Sequence, residues 1–200
     1  GKIIFTKSIT ELLIEHDING LELMYAGNDP IHLNDIEPAF FDTDYWKKDD
    51  LFISIRNQNG IIHYRPSTNK IINKFFGGWD SVFYRQHDVD IVSDKEISIF
   101  NNSKTNNSEV IIYNFETKKF SKKFNDKLIE NNFKTETEGL SEILKDGSML
   151  VEEQEHGRLI FFNNEGQKEW EYINKDNKGN IYLISWSRII DNQNIINKIK

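Results

Sequence analysis

A loosely repeated segment of about fifty residues is the sequence feature that most limits the fold. The first copy opens at His32-Leu33-Asn34-Asp35, and its outline returns at Gln86-His87-Asp88. Fainter copies open at Glu136-Thr137-Glu138-Gly139 and at Ser185-Trp186-Ser187-Arg188. A period of about 40–50 residues built from four short strands is typical of a β-propeller. The repeat therefore predicts blades whose equivalent positions converge on one central channel.

Within each copy, short hydrophobic segments alternate with turn sequences such as Asn59-Gly60. The predicted strands cover residues 32–39, 51–55, 61–64 and 71–76, then 87–92, 96–100, 110–115 and 120–124, then 138–144, 149–153, 157–162 and 168–172. Only residues 126–133 are predicted to be helical. Five aromatic side chains are expected on outer strands, packed between blades: Phe75, Phe76, Phe124, Trp170 and Tyr172. The predicted fold class is all-β, a propeller with four-stranded blades.

The two ends of the chain are interpreted as one shared blade. Residues 3–6, 11–15 and 21–25 predict three strands that lack an inner strand, and residues 181–190 predict an inner strand. The whole chain, 1–200, is then a single propeller domain with blades at 1–30 with 180–192, 31–79, 80–130 and 131–178. Pairing both termini in one blade would remove two open sheet edges. A portion of a larger, six-bladed propeller is the equally weighted alternative, and we expect the natural chain to begin earlier.

Composition excludes several classes of partner. The net charge of −7 argues against nucleic acid, because phosphate binding needs a concentrated basic face. The absence of cysteine excludes disulfides and thiolate metal sites. No apolar run approaches the roughly 18–20 residues of a membrane span. These observations predict neither a cofactor nor a membrane span, and they do not predict an oligomeric state.

The repeat places a set of charged residues at the predicted channel mouth. His32 and His87 begin consecutive inner strands, Arg56 ends a neighbouring strand, and Glu138 and Arg188 begin later blades. Two imidazoles with guanidinium groups suit an oxyanion such as sulfate or phosphate. A neutral imidazole can also act as a nucleophile or proton carrier. Hydrogen bonding to backbone or water is the structural alternative for the two histidines.

Two further alternatives remain open in this predicted site. Arg56 could form a salt bridge with Asp35 or Asp88 instead of binding an anion. The run His87-Asp88-x-Asp90 could suggest a metal ligand set. However, residues 88 and 90 face the opposite side of a strand from residue 87, so no metal site is predicted.

Several short motifs are shared with a known family. The sequence carries His32-Leu33-Asn34-Asp35, Ser54-Ile55-Arg56-Asn57, Trp79 followed by Gln86-His87-Asp88, Ile99-Phe100-Asn101-Asn102, and Glu138-Gly139 followed by Gly157-Arg158. Over roughly residues 15–190 these resemble the arylsulfotransferase (aryl-sulfate sulfotransferase) β-propeller family. Active members are exported bacterial six-bladed propellers that move a sulfuryl group between phenols through a sulfated histidine. They use no nucleotide sulfate donor.

The resemblance implies roles for individual residues. His87 matches the histidine that takes the sulfuryl group, while His32 and Arg56 match the residues that hold its oxygens. Asn34 belongs to the same His-x-Asn motif, and Asn34, Glu138 and Arg188 are predicted to bind substrate. The family's further histidine, proposed as a general acid, has no counterpart, because His16 lies in the wrong register.

Two functions remain open at this stage. One is sulfuryl transfer between an aryl sulfate and a phenol, and the resemblance implies a periplasmic or cell-surface location for such a protein. The other is a non-catalytic propeller that binds a small anion, a glycan or a protein partner at the channel mouth.

Overall fold

The computed structural model describes residues 1–3, 5–18, 28–76, 82–104, 107–190 and 193–199. Within them the chain forms three antiparallel sheets of four strands each. The strands are β1 (Leu33–Pro38), β2 (Leu51–Ile55), β3 (Gly60–Arg65), β4 (Lys70–Phe76), β5 (Val89–Ile91), β6 (Glu96–Asn101), β7 (Glu109–Asn114), β8 (Lys119–Lys123), β9 (Leu140–Ile143), β10 (Met149–Glu153), β11 (Arg158–Phe162) and β12 (Lys168–Ile173). The helices are Ile9–Glu15, Asn125–Glu130 and Gln193–Ile199.

Each sheet is a simple meander in which strands consecutive in sequence are hydrogen-bonded neighbours. We call β1–β4 the first blade, β5–β8 the second and β9–β12 the third. Strand β1 contacts β5, and β6 contacts β9, so the inner parts of successive blades lie side by side. The predicted all-β fold with propeller-like, four-stranded blades is thereby confirmed.

Left-handed residues close the tight turns between strands. The 3₁₀ turns Arg56–Gln58, Pro66–Thr68 and Gln154–His156 end at Asn59, Asn69 and Gly157, whose φ angles are 47°, 51° and 58°. Asparagine and glycine tolerate positive φ better than most residues. The Asn59-Gly60 turn signal in the sequence therefore has a direct backbone cause.

Hydrophobic clusters hold the blades together. Phe52 and Ile61 of the first blade pack with Ile97 and Ile111 of the second. A separate cluster joins the second and third blades, and its buried members are Phe100, Val110, Leu128, Phe133, Met149, Val151, Ile160 and Phe162. Burial of apolar surface between successive sheets is thus the main force that holds neighbouring blades together.

The five aromatic residues expected between blades divide into three groups. Phe75 lies on β4 and packs in the cluster between the first and second blades. Phe124 packs in the cluster between the second and third blades, although it follows β8 rather than lying on a strand. Phe76 packs instead with the cluster beneath the N-terminal helix, and Trp170 and Tyr172 on β12 remain 42% and 50% exposed.

The predicted strand at residues 11–15 is wrong, because this segment is part of the helix Ile9–Glu15. The Ser8 hydroxyl accepts a hydrogen bond from the Glu11 backbone N–H, which caps the helix. Leu12 and Leu13 are both fully buried against the first blade. In a strand, these adjacent side chains would point to opposite faces. The helix predicted at residues 126–133 is present as Asn125–Glu130, but the prediction that it is the only helix is wrong.

The other predicted terminal strands differ as well. Ile3, Phe5 and Thr6 are not in a strand, and residues 21–25 lie outside the described residues. Residues 181–190 form no strand beyond one bridge between Ile181 and Lys175, so the predicted inner strand is not formed. The reason is that no described strand follows this segment and pairs with it, whereas β6 pairs with β5 and β10 pairs with β9. Across the described ranges, every helix is too short or too polar to cross a membrane.

Candidate functional site

His87 lies at the start of the second blade and is held by the first. The backbone N–H of His87 donates to the carbonyl of Phe100, 2.8 Å away. The preceding residue, Gln86, is fully buried, and its side-chain amide donates to the Gly60 carbonyl at 2.8 Å. Asn34 from β1 donates to the Gln86 carbonyl at 3.3 Å. These bonds between two blades fix the backbone that carries the His87 ring.

His32 and Arg56 lie together at the edge of the first blade. The Arg56 backbone N–H donates to the His32 carbonyl at 3.1 Å. His32 has a φ of 46°. Its backbone N–H donates to the Asp29 carboxylate at 2.8 Å, and its ring Nδ1 lies 2.6 Å from the other oxygen of the same carboxylate. The three-residue link from Asp29 to His32 therefore orients the His32 ring beside the start of the Arg56 turn.

Arg56 is the buried cation of the site. It is 8% exposed, and its Nη1 donates to the Asn57 side chain at 3.2 Å. Its Nε has no hydrogen-bond partner in the described part of the chain. The predicted alternative of a salt bridge to Asp35 or Asp88 is not formed, although all three residues are described. A buried guanidinium donor without a partner is a costly arrangement that an anion would relieve.

The His87 ring is neutral near pH 7. Its pKa is lowered to about 4, chiefly by burial, and Arg56 and then His32 contribute to the same shift. Glu155 acts in the opposite direction but more weakly. The ring is nevertheless reachable, because 17% of the His87 side chain is exposed. A neutral, accessible imidazole beside a buried arginine can offer a lone pair to an electrophile.

Glu138 from the third blade reaches the same histidine. Its Oε2 lies 3.2 Å from Nε2 of His87. The Glu138 carbonyl is held by Asn102 at 2.8 Å and by the Thr135 hydroxyl at 2.9 Å. Next to it, Gly139 has a φ of 108°, and a Cβ there would lie 2.7 Å from the Phe100 ring. The backbone that presents Glu138 thus depends on a glycine.

A narrow cleft lies beside His87 where three blades meet. It is lined by Asn34, Asp35, His87, Asp88, Glu138, Gly139, Leu140, Gln154 and Trp186. Its enclosed volume is about 20 Å³, which is room for about one water molecule. The structure therefore brings together His87, Asn34 and Glu138 in one cleft, with Arg56 and His32 acting on His87 electrostatically.

A layer of carboxylates lies next to this cleft and was not predicted as part of the site. Each carboxylate accepts a backbone N–H from the following repeat. The pairs are Asp35 with Val89 at 3.1 Å, Glu37 with Ile91 at 3.4 Å, Asp88 with Ser141 at 3.1 Å and Glu142 with Ile189 at 2.9 Å. Residues 181–190 therefore take the same position beside the third blade that β5 takes beside the first.

Burial and mutual repulsion raise the pKa of several of these carboxyl groups. The pKa of Glu37 is raised to about 7 and that of Asp90 to about 6, in both cases chiefly by burial. The pKa of Asp88 is also raised well above its usual range, and Arg188 opposes the shift. The Arg188 guanidinium lies 3.9 Å from Asp88, so its partners are the carboxylates rather than the His87 and Arg56 pair.

Other features of the region limit its chemistry. Within the described ranges, no group of three or more His, Asp or Glu side chains has an arrangement able to hold a metal ion. His16 caps the end of the N-terminal helix, with its Nδ1 2.9 Å from the Leu12 carbonyl, so it does not join His87.

The carboxylate layer had a sequence signal. Asp35 with Glu37, and Asp88 with Asp90, are each spaced two residues apart, which places both members of a pair on the same face of a strand.

The fold and the site define an all-β protein of propeller-like blades with a neutral histidine beside a buried arginine where blades meet. The family model described as Arylsulfotransferase (ASST) matches residues 1–175, and the chain belongs to this family. No curated protein matches the chain significantly.

Proposed function

We propose that this chain transfers a sulfuryl group from an aryl sulfate to a phenol through a covalent intermediate on His87. The observation that supports this most strongly is the pairing of a neutral His87 with Arg56, whose buried Nε has no partner among the described residues. The membership of the arylsulfotransferase family supports an aryl substrate.

In this proposal Glu138 orients the nucleophile. Its carboxylate lies 3.2 Å from Nε2 of His87 and accepts a hydrogen bond from the N–H at that nitrogen. The lone pair is then on Nδ1, which attacks sulfur. The new N–S bond forms as the S–O bond to the aryl group breaks, and the phenolate leaves with the electron pair. In the second half-reaction an acceptor phenolate oxygen attacks the same sulfur and releases neutral His87.

Arg56 and His32 stabilise the transferring group in this mechanism. Negative charge spreads over the sulfuryl oxygens as the S–O bond breaks, and donors already in place lower the energy of that state. Arg56 contributes a permanent charge, and the orphaned Nε provides a donor that no protein group occupies. The oxygens would lie at the mouth of the cleft lined by Asn34 and Glu138, because the cleft itself has room for only about one water molecule.

The test is a burst experiment with 4-nitrophenyl sulfate and no acceptor. Release of nitrophenolate should stop after about one equivalent, and intact-protein mass spectrometry should detect the added sulfuryl group. His87→Ala should abolish both signals, while His156→Ala, which removes an exposed histidine on the turn Gln154–His156, should leave both unchanged. Arg56→Ala should slow the burst by roughly 10²–10³-fold, the scale for one preorganised charge-stabilising donor.

The absence of any adduct from every aryl sulfate tried would refute the transfer reaction. A non-catalytic anion-binding propeller is the second candidate, and the buried Arg56 Nε without a partner among the described residues favours it, because an anion would supply an acceptor. In that case sulfate should bind to the wild type and not to Arg56→Ala, while no adduct forms.

We also propose that the protein acts outside the cytoplasm, in the periplasm or at the cell surface. Only the resemblance to exported family members supports this. Fractionation of the native host, followed by immunodetection, tests it, and recovery of the protein in the cytoplasmic fraction alone would contradict it.

A further inference from the structure

Trp186 is an exposed aromatic residue on the lining of the His87 cleft. Its side chain lines the cleft together with His87, Glu138 and Gln154. It is 64% exposed, so its ring is accessible to a ligand at the cleft. Its backbone has a φ of 60°, in the left-handed region that few non-glycine residues adopt. Strained exposed aromatics beside a reactive group suggest a functional constraint.

The backbone that follows Trp186 is anchored to the third blade. The Ser187 N–H donates to Glu152 at 2.8 Å, and Glu152 is fully buried on the third blade. The Ile189 N–H donates to Glu142 at 2.9 Å. The Arg188 guanidinium lies 5.6 Å from the centre of the indole ring. Because of these contacts the exposed ring is presented from a fixed position beside the cleft.

The size of the cleft decides where an aryl group must lie. About 20 Å³ is enclosed beside His87, which is far too little for a benzene ring. A substrate whose sulfuryl group reaches the His87 ring therefore keeps its aryl group at the mouth. Trp186 is the aromatic residue that lines this cleft within the described part of the chain. Aromatic rings prefer offset-stacked or edge-to-face contact with one another.

We propose that Trp186 is the residue that selects aryl over alkyl substrates, by stacking against the aryl ring while the sulfuryl group faces His87 and Arg56. This inference rests on the proposed function, since it assumes that the sulfuryl group binds beside His87. It adds the side chain that is responsible for the preference for aryl groups at the mouth of the cleft.

The test uses two sulfonates that bind without reacting, because their carbon–sulfur bond is not broken by the transfer reaction. Benzenesulfonate carries the ring and methanesulfonate lacks it, and isothermal titration calorimetry measures both affinities. In the wild type, benzenesulfonate should bind roughly 3- to 10-fold more tightly, the scale of one aromatic pair. Trp186→Ala should remove this ratio and leave the affinity for methanesulfonate unchanged, whereas Trp186→Phe should keep most of it.

Trp170→Ala is the matched control. Trp170 is also partly exposed, at 42%, but it stacks on Phe161 with ring centres 5.4 Å apart and is not among the residues lining the cleft. This variant should keep the wild-type ratio. The proposal is overturned if Trp186→Ala keeps the ratio, if the wild type does not discriminate, or if neither sulfonate binds. If Trp186→Ala loses the ratio but the wild type forms no sulfuryl adduct, the transfer reaction is refuted and Trp186 remains the aryl-binding residue.

Discussion

Replacement of Asp90 by asparagine should stabilise the protein at alkaline pH. Asp90 lies in the carboxylate layer with Asp35, Asp88 and Glu142, and Arg188 is the cation that faces it. Burial and the neighbouring carboxylates raise its pKa from 3.8 to about 6. A buried carboxylate with an elevated pKa is harder to ionise in the folded state than in the unfolded chain.

The sign and size follow from this shift. Below about pH 4 both states are protonated and Asp90 has no effect on stability. Between about pH 4 and pH 6 the unfolded chain ionises first, so the free energy of unfolding falls as the pH rises and levels off above about pH 6. The rise of the Asp90 pKa from 3.8 to about 6 corresponds to a loss of roughly 3 kcal/mol in the free energy of unfolding above pH 6.

Urea denaturation of Asp90→Asn and the wild type at pH 8 and pH 4 measures the effect. The variant should be more stable by about 1–3 kcal/mol at pH 8 and nearly equal at pH 4. Asp44→Asn makes the same chemical change on an exposed loop and should have little effect at either pH. A variant equally or less stable at pH 8, or one with the same change at both pH values, would refute the assignment of a costly buried charge.

Three further predictions follow from packing, titration and backbone geometry. Leu13→Ala should lower the free energy of unfolding by about 2–5 kcal/mol in urea denaturation, because Leu13 is fully buried, whereas Ile14→Ala, at a 58% exposed position, should change it little. The burst rate with an aryl sulfate should stay constant from pH 8 to pH 5 and fall below about pH 4, as His87 takes up a proton; a fall centred near pH 6.5 would contradict the burial argument. Gly139→Ala should lower the melting temperature and slow the burst, because a Cβ collides with the core and displaces Glu138; unchanged values of both would contradict this geometry.

The strands of the three blades were predictable because their signals are local. Alternating apolar residues and turns such as Asn59-Gly60 depend on neighbours in sequence, and the resulting strands lie close to the predicted ones. The helix Ile9–Glu15 also had a local signal that the prediction overlooked. Ser8 and Glu11 have the spacing of a capping box, and the Ser8 hydroxyl does accept from the Glu11 N–H.

The terminal strand at residues 181–190 failed for a different reason. Its alternation predicts a strand, but a strand needs a neighbour with free backbone groups. Among the described residues no strand pairs with this segment beyond one bridge at Ile181. Its Ser187 and Ile189 N–H groups donate to Glu152 and Glu142, as β5 and β9 also donate to carboxylates of the preceding blade. Nothing within the segment itself encodes these partners.

The sequence by itself determined the repeat, the four-stranded unit and the histidine at the start of the second blade, since all three follow from the order of residues along the chain. The repeat also grouped Arg56 and Glu138 with that histidine, whereas only the tertiary structure decided how each of them acts on it and added Trp186 to the site. Glu138 lies 3.2 Å from Nε2 of His87 and Trp186 lines the same cleft, while Arg56 acts on His87 through its charge. The pKa of His87 likewise depends on burial and on charges distant in sequence, and both exist only after the blades have packed.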